Sequence, residues 1–319
     1  MSGPTGSRLD PDVQAIADAM RAAGVPPLHV RGVSGARELM RNLPQVPGPR
    51  MHQVEDLSFA GPHGEVPVRV YRPFESHGAP SPAIVYFHGG GMLMGDLDSY
   101  DNLTRHFAAA TECTVLSIDY RLAPEHVYPV ATDEAYAAVA WTCEHAEQLG
   151  LDRDRVAVAG DSAGGSLAAG AALQARDRGG PRIRAQFLFY PGIERDQGRP
   201  STVEFGDGPF LYRADITWMK DMYLGPDPSR DTAYGVPSIA SDLRDLPDAV
   251  VVTGEADPIR DAVEAFGARL RDARVPTILI RYPGVSHGFL SLVETVGRAQ
   301  VAMREIGALA RAKMQGKAE

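Results

Sequence analysis

A serine between two glycines is the first pattern in this chain that could do chemistry. Gly160-Asp161-Ser162-Ala163-Gly164 follows a short apolar run at 156–160 and precedes an alanine-rich segment. The run predicts a buried strand and the alanines predict a helix, so G-x-S-x-G stands at a strand-to-helix turn. Such a turn exposes the serine hydroxyl at the end of a sheet, where it can act as a nucleophile. The alternative is that Ser162 only caps the helix.

A nucleophilic serine needs a base, and an acid that orients the base. His287 is the only histidine after Ser162, and it lies in a loop after an apolar run. In enzymes built on this turn, the order along the chain is serine, acid, histidine, so the acid should follow the preceding strand. Glu255, Asp257 and Asp261 are the candidates. We favour Asp257, because it lies in the loop just past the strand, before Pro258. Glu255 is closest to the strand end, and Asp261 lies about one turn into the next helix.

Three consecutive glycines form the third chemical element. The stretch His88-Gly89-Gly90-Gly91 follows the predicted strand at 83–87. Backbone N–H groups of such a loop can point at an oxyanion, together with the amide of Ala163 after the nucleophile. A glycine-rich loop could instead hold a phosphate, but this one lacks the lysine of a Walker loop and the spacing G-x-G-x-x-G. Beside a serine, an acid and a histidine, the oxyanion-hole interpretation is favoured.

These motifs and two others make the chain resemble the bacterial hormone-sensitive-lipase-like carboxylesterases, an α/β-hydrolase group with an HGGG loop and a GDSAGG turn. The resemblance covers most of the chain, through motifs at 88–91, 119–129, 160–165, 257–261 and 287–289. It implies a catalytic triad of Ser162, Asp257 and His287. It implies an oxyanion hole made by the amides of Gly89, Gly90 and Ala163. It also implies a cap built from N-terminal helices and an insertion after the sixth of eight strands.

Three positions depart from the usual pattern of that group. Met92 follows the glycine loop where many members carry an aromatic residue, Ser166 replaces a frequent asparagine, and valine replaces a common proline at 127. Because methionine is flexible and apolar, we expect Met92 to alter the shape of the substrate pocket rather than the chemistry. Trp218 and Met222, in the predicted cap, are expected to line the same pocket.

Short apolar runs separated by helical patterns define the predicted fold. A hairpin begins at Gln53, and the runs that follow lie at 83–87, 114–118, 156–160, 185–190, 249–253 and 277–282. Unbroken apolar strands that alternate with helices indicate a mostly parallel sheet covered on both faces. We therefore predict an α/β class and an α/β-hydrolase fold, with an eight-stranded, mostly parallel sheet flanked by helices and a helical cap.

Two regions outside the strand pattern are expected to form the cap. Residues 1–48 contain two predicted helices, the second from Ser34 to Leu43. The other region is an insertion at about 192–246 that holds the apolar helix 214–225. Its apolar residues spread over more than one face, which indicates packing on two sides. The catalytic domain would then be 49–319, and the alternative is a helix simply packed into that domain.

The motif at 119–129 is expected to support the glycine loop. Asp119, Arg121 and Glu125 lie just past a strand, where buried charges would have to pair with one another. The alternative is a set of ordinary surface salt bridges. His126 has no acid placed for it and is expected to be structural.

Composition and charge exclude several classes of function. A net charge of −9 argues against nucleic-acid binding, which needs a basic face. The chain has no apolar run long enough to span a membrane and no apolar secretory segment at its start, so we expect no membrane partner and a cytoplasmic location. Cys113 and Cys143 lack metal-binding spacing and are expected to be buried free thiols rather than a disulfide.

The sequence therefore predicts a serine carboxylesterase with no cofactor and no metal, which acts on a small-molecule ester through an acyl-enzyme intermediate. Acyl chains of roughly four to eight carbons are expected, because each buried methylene adds binding until the cap forms a wall. The alternatives are an amidase, a lactonase or a deacetylase with the same triad, or a non-catalytic binding module of the same fold. Assembly as a homodimer is left open.

Overall fold

The central sheet has the predicted arrangement. The computed structural model describes residues 8–43, 46–75, 78–195 and 198–315. The strands within these ranges are β1 Gln53–Gly61, β2 Gly64–Arg72, β3 Ser81–Phe87, β4 Thr114–Ile118, β5 Leu151–Asp161, β6 Ala185–Phe189, β7 Asp248–Ala256 and β8 Thr277–Ser286. They form one sheet in the order β1-β2-β4-β3-β5-β6-β7-β8. β2 is antiparallel to both neighbours and the remaining pairings are parallel, so the predicted fold is confirmed.

Helices cover both faces of the sheet, which is why its inner strands are apolar throughout. Every residue of β4 and β6 is buried, whereas the edge strand β1 exposes most of its side chains. The helices are α1 Pro11–Ala22, α2 Leu28–Arg41, α3 Asp101–Thr111, α4 Val130–Glu144, α5 Ala163–Asp177, α6 Pro200–Phe205, α7 Arg213–Leu224, α8 Arg260–Asp272 and α9 Gly297–Gln315. One apolar core lies under α4, α5 and α8, and the other lies under α3 and α9.

The carboxyl ends of the parallel strands carry the predicted functional residues. The glycine loop follows β3, Ser162 follows β5, Asp257 follows β7 and His287 follows β8. These strands are parallel neighbours in the order β3-β5-β6-β7-β8, so their carboxyl ends lie along one edge of the sheet. The edge where parallel strands end is the usual ligand-binding edge of an open α/β sheet.

The second N-terminal helix differs from its predicted bounds. α2 begins at Leu28 rather than at Ser34, and it ends at Arg41 rather than at Leu43. The earlier start arises because Gly32 adopts a φ of 67°, which lets one further turn join the helix through a kink. The periodicity after the glycine predicts only the longer part of the helix.

The predicted helix of the insertion is α7, and it contacts α2. The backbone N–H of His29 donates to Oδ1 of Asp215 at 2.9 Å, and Nδ1 of His29 lies 2.6 Å from the same oxygen. Residues 1–7 and 44–45 of the first predicted cap region, and residues 196–197 of the second, lie outside the described residues.

Two smaller predictions can also be compared with the structure. Cys113 and Cys143 are both buried and neither forms a disulfide, as predicted. Among the helices of the described ranges, none is long and apolar enough to cross a membrane.

Candidate active site

Ser162 has a backbone conformation that a tight strand-to-helix turn imposes. Its φ is 52° and its ψ is −116°, a region that non-glycine residues rarely adopt. The Ser162 N–H donates to the Phe189 oxygen at 2.9 Å. A Cβ on Gly160 would lie 2.3 Å from the Gly164 oxygen, and a Cβ on Gly164 would lie 1.9 Å from the Phe87 oxygen. The backbone approaches so closely at both glycines of the G-x-S-x-G pattern that neither position can hold a side chain.

Ser162, Asp257 and His287 form one hydrogen-bonded chain. Nε2 of His287 lies 2.9 Å from Oγ of Ser162, and Nδ1 lies 2.9 Å from Oδ2 of Asp257. Asp257 is fully buried, and its other carboxylate oxygen accepts the N–H of Ile259 at 2.9 Å. When Nδ1–H donates to the carboxylate, Nε2 is left to accept the serine proton. This arrangement can activate the hydroxyl as a nucleophile.

The other two candidate acids have different partners. Oε2 of Glu255 accepts the Gly284 N–H at 3.2 Å. Asp261 pairs with Arg260 at 2.9 Å and accepts the N–H of Ser201 at 2.8 Å. Both carboxylates lie within the described residues, and neither contacts the imidazole. Of the three candidate acids, the structure brings Asp257, in the loop after β7, into contact with His287.

The structure corrects one residue of the predicted oxyanion hole. The Gly89 N–H donates to Oδ1 of Asp161 at 2.9 Å in the buried interior, so it is not available to a substrate and its prediction is wrong. The amides of Gly90, Gly91 and Ala163 donate to no acceptor among the described residues. Gly91 and Ala163 also line the cavity at the serine. These three amides are a candidate oxyanion hole.

A buried carboxylate, Asp161, holds the glycine loop. Besides the Gly89 N–H, Asp161 accepts the hydroxyl of Tyr86 at 2.7 Å and that of Tyr100 at 3.4 Å. Burial raises the pKa of Asp161 to about 6, although the hydrogen bonds from Tyr86 and Gly89 lower it. At neutral pH the carboxylate is therefore mainly ionised, and an ionised acceptor makes the stronger hydrogen bonds.

His88 is a buried packing residue at the start of the loop. Its ring stacks on the ring of Tyr120 with centroids 4.4 Å apart, and Nδ1 lies 2.8 Å from the Gly89 oxygen. Burial lowers the pKa of His88 to about 4, so the ring is neutral at pH 7. The Tyr120 hydroxyl donates to the His88 carbonyl oxygen at 2.7 Å. Tyr120 thus fixes the backbone directly before the first glycine.

The charged residues around that tyrosine do not pair with one another, contrary to the prediction. Arg121 pairs with the buried Glu134, and Glu125 pairs with Arg37 of α2 at 2.7 Å. Burial raises the pKa of Asp119 to about 6, and Asp119 has no ion pair within the described part of the chain. The loop is supported by the tyrosine instead. The available signal was a tyrosine two residues past the end of β4, the strand beside β3.

A cavity of about 60 Å³ opens at Ser162 and His287. Of the three predicted pocket residues, Met92 lines it, whereas Trp218 and Met222 do not. The α7 residues that line it lie on one side of the helix, mostly three or four positions apart. They are Ile216, Met219, Lys220, Tyr223 and Leu224. Trp218 and Met222 pack against the apolar core, so helix rotation accounts for the error.

Two polar side chains of this cavity, Lys220 and Ser166, are not among the predicted site residues. Nζ of Lys220 donates to the Gly192 oxygen at 2.8 Å. Lys220 could have been noticed, because it is a lysine among the apolar residues of a helix that was expected to pack on two sides. Ser166 was noted only as a departure from a family motif.

Comparison with known proteins agrees with this geometry. A family model described as the alpha/beta hydrolase fold matches residues 84–291. Esterase LipI of Mycobacterium tuberculosis is 40% identical over 284 residues, which cover 86% of this chain and 89% of that protein. Ethyl acetate hydrolase of Pseudomonas putida is 33% identical, covering 91% of this chain and 95% of its own. The crystal structure of a thermostable esterase from Pseudomonas putida ECU1011 superposes with a TM-score of 0.92 at 31% identity, covering 99% and 100% of the two chains.

Replacing Tyr120 by phenylalanine tests the support of the glycine loop. Tyr120→Phe leaves the His88 carbonyl without its donor, which costs about 1–3 kcal/mol for a buried group. We expect kcat for a p-nitrophenyl ester to fall about 10-fold with little change in KM, because oxyanion donors act mainly in the transition state. Tyr282→Phe, which removes a hydroxyl that donates to Glu305 outside the cavity, should keep the wild-type kcat. Equal losses in both variants would contradict the role.

Proposed function

The chain belongs to the alpha/beta hydrolase family, and from this premise we propose that it is a serine carboxylesterase in which Ser162 is the nucleophile, His287 the base and Asp257 the orienting acid. The proposal is supported by the hydrogen-bonded chain of these three side chains, next to three amides that donate to no acceptor among the described residues.

The proposed reaction has two steps through an acyl-enzyme. Nε2 of His287 takes the proton of Ser162 as Oγ attacks the ester carbonyl, and the oxyanion accepts hydrogen bonds from the three unpaired amides. The carbon–oxygen bond to the alcohol breaks, and the alcohol leaves with the proton from Nε2. Water then gives its proton to Nε2 and attacks the acyl group, which releases the carboxylic acid and restores Ser162. The Asp257 carboxylate orients the imidazole and stabilises the imidazolium that forms.

Substitution of the triad tests these roles. Ser162→Ala should lower kcat by about 10⁴- to 10⁶-fold, because triad members act as a unit. Asp257→Asn should lower kcat by about 10⁴-fold, because an amide favours the wrong histidine tautomer. Glu255→Gln is the control, since glutamine keeps an acceptor for the Gly284 N–H. Steady-state kinetics with p-nitrophenyl butanoate would measure these effects, and circular dichroism would verify folding.

Covalent labelling gives the second readout of the same prediction. A fluorophosphonate should label the wild type at Ser162, located by peptide mapping. A label on Ser166 or Ser117 would overturn the assigned nucleophile. A collapse of kcat in Glu255→Gln, with Asp257→Asn near the wild-type rate, would show that the acid is misplaced.

We further propose that the enzyme prefers short to medium acyl esters. The cavity of about 60 Å³ at the serine supports this, because each water-sized group needs about 10–15 Å³. Met219 closes the cavity against the glycine loop: a Cβ on Gly91 would lie 1.9 Å from its sulfur. Each acyl methylene that the cavity buries adds about 0.8 kcal/mol of favourable binding free energy, until the acyl chain reaches this wall.

A series of p-nitrophenyl esters from acetate to palmitate measures this preference. We expect kcat/KM below the micelle range to rise to a maximum at roughly four to eight carbons and then to fall. The Met219→Ala variant should move the maximum to longer chains, because it removes part of the wall. A wild-type maximum at laurate or beyond, or a jump in rate when the substrate forms an interface, would make the protein a lipase.

The cap is the third part of the proposal: residues 1–48 and the insertion at about 192–246 act together over the catalytic domain of 49–319. The contact between His29 and Asp215 supports it, because it joins α2 to α7. Arg37 of α2 also donates to the backbone oxygens of Leu93 at 2.7 Å and Ala123 at 3.0 Å. This arginine therefore ties the N-terminal segment to the turn that follows the glycine loop.

Arg37→Ala tests whether the N-terminal segment shapes the pocket. The variant leaves two carbonyl oxygens without donors, and we expect kcat/KM for hexanoate to fall about 10-fold and the chain-length preference to flatten. Arg41→Ala, at an exposed position of the same helix, should match the wild type. A folded Arg37→Ala enzyme with the wild-type kcat/KM and profile would show that these helices only pack.

The partners of the protein follow from this function. The proposed ligand is a small-molecule ester, and the relative named an ethyl acetate hydrolase acts on an ester of that size. Assembly as a homodimer and a cytoplasmic location stay predictions, which sedimentation of the purified protein and cell fractionation would test.

A further inference from the structure

One basic side chain lies in the wall of the catalytic cavity without a carboxylate partner. Lys220 of α7 lines this cavity together with Ser162 and His287. Its ammonium donates one hydrogen bond, to the Gly192 oxygen at 2.8 Å. Across the described residues, no carboxylate lies within ion-pair distance of it. An ammonium has three N–H donors, so two remain for a ligand.

Neighbouring charges leave this ammonium uncompensated. Burial and then Arg195 lower the pKa of Lys220 to about 8, while Asp231 and Glu194 oppose them. Asp231 is itself paired with Arg195 at 2.7 Å, and Glu194 is paired with Arg199 at 2.7 Å. Lys220 is thus mainly charged at neutral pH, in a cavity where a charge is costly unless it is paired.

A second polar group of the cavity also lacks a partner. Ser166 is 3% exposed and lines the cavity, and its Oγ has no hydrogen-bond partner within the described chain. It lies close to the Lys220 site, because a Cβ on Gly192 would be 3.6 Å from Oγ of Ser166. The ammonium of Lys220 thus binds the Gly192 oxygen, and the hydroxyl of Ser166 lies near the Gly192 Cα. Two donors that line one cavity, both near Gly192, can form a site for a hydrogen-bond acceptor.

We propose that Lys220 and Ser166 form a subsite that binds a carboxylate carried by the ester substrate, beside the reacting ester group. The inference rests on the proposed function and names the substrate class. A carboxylate satisfies both donors and compensates the ammonium, whereas a neutral acceptor leaves the charge unpaired. The other side chains of the cavity do not compete for it, since most are apolar: Met92, Leu211, Ile216, Met219 and Leu224.

The spacer between ester and carboxylate must be short. The Gly192 N–H donates to the Ser162 carbonyl oxygen at 2.9 Å, so the residue that binds Lys220 directly contacts the nucleophile residue. The carboxylate could belong to the acyl group, as in a half-ester of a short dicarboxylic acid, or to the alcohol, as in an acylated hydroxy acid. Both place one anion a few bonds from the reacting carbonyl.

Paired substrates separate the two sources. For the acyl side, the mono-p-nitrophenyl ester of glutaric acid is compared with p-nitrophenyl hexanoate. For the alcohol side, 4-acetoxybenzoate is compared with p-tolyl acetate. Enzyme-free hydrolysis is subtracted, and the readout is the ratio of kcat/KM for the anionic ester to kcat/KM for the neutral ester, in wild type and variants.

Lys220→Met keeps an unbranched side chain one atom shorter than lysine and removes its charge. We expect the ratio to fall about 10-fold or more in one substrate pair, while the rate on the neutral ester changes far less. Ser166→Ala should lower the same ratio by a smaller factor, about 3- to 10-fold, because it removes a neutral donor. Lys313→Met makes the same charge change at a lysine that pairs with Asp248, away from the cavity, and should leave the ratio unchanged.

The pH dependence of the ratio distinguishes a charged subsite from a structural role. Lys220 is charged below its pKa of about 8, so the wild-type ratio should fall as pH rises through that value and should be flat in Lys220→Met. The groups that face Lys220 are Arg195, Glu194, Asp231 and, across the cavity, His287. Because the ratio compares two esters on the same enzyme, a pH effect on the catalytic machinery that both esters share cancels in it.

Two results would overturn the inference. If Lys220→Met lowers kcat/KM equally for both esters of each pair, the lysine only fastens α7 to Gly192 in the loop after β6. If the ratio is the same in wild type and variant in both pairs, no carboxylate subsite exists, while hydrolysis of the neutral esters leaves the proposed function intact. A wild-type protein that hydrolyses none of the four esters would instead refute the proposed function, and the inference with it.

Discussion

The backbone of the turn at Ser162 lies directly against the backbone of the glycine loop, and the geometry of the site depends on this contact. A Cβ on Gly164 would lie 1.9 Å from the Phe87 oxygen and 2.5 Å from the His88 oxygen. Because Gly164 has a hydrogen in place of a Cβ, the start of α5 can pack beneath the end of β3. The serine then meets the loop that presents the amides, while its own φ of 52° stays in a sparsely populated region. The hydrogen bond from the Ser162 N–H to the Phe189 oxygen and the tight backbone contacts of Gly160 and Gly164 hold that conformation in place.

Hydrogen bonds from buried polar groups also hold the glycine loop in place. Asp161 is adjacent to the nucleophile in sequence, yet its carboxylate accepts hydrogen bonds from the loop and from two tyrosines. By binding the Gly89 N–H, it directs the first amide inward, so the following two are the ones without an acceptor. His88 stays neutral because it is buried, and Tyr120 holds its carbonyl. The loop is thereby preorganised before a substrate binds, which is how oxyanion stabilisation becomes effective.

The features that the sequence could predict are those that local backbone geometry or strand order encodes. Ser162 could be found because a glycine-flanked serine between a strand and a helix has few other uses, and its partners because each follows a parallel strand. The direction of the Gly89 amide could not be predicted, since it depends on Asp161 from another strand. The lining of the cavity could not be predicted either, because a helix apolar on more than one face does not reveal its rotation. Packing places Met219, and not Trp218, in the cavity.

The central claim is that nucleophile and oxyanion donors are set in place together by the contact between the turn and the loop. A crystal structure of the enzyme after reaction with a phosphonate ester tests it most directly, because the adduct mimics the tetrahedral intermediate. We expect phosphorus bonded to Oγ of Ser162 and a phosphoryl oxygen within about 3.2 Å of the amide nitrogens of Gly90, Gly91 and Ala163. The Gly89 N–H should remain on Asp161. A phosphoryl oxygen bound by the Gly89 N–H instead, or a glycine loop that rearranges to reach the adduct, would show that turn and loop do not preorganise the site.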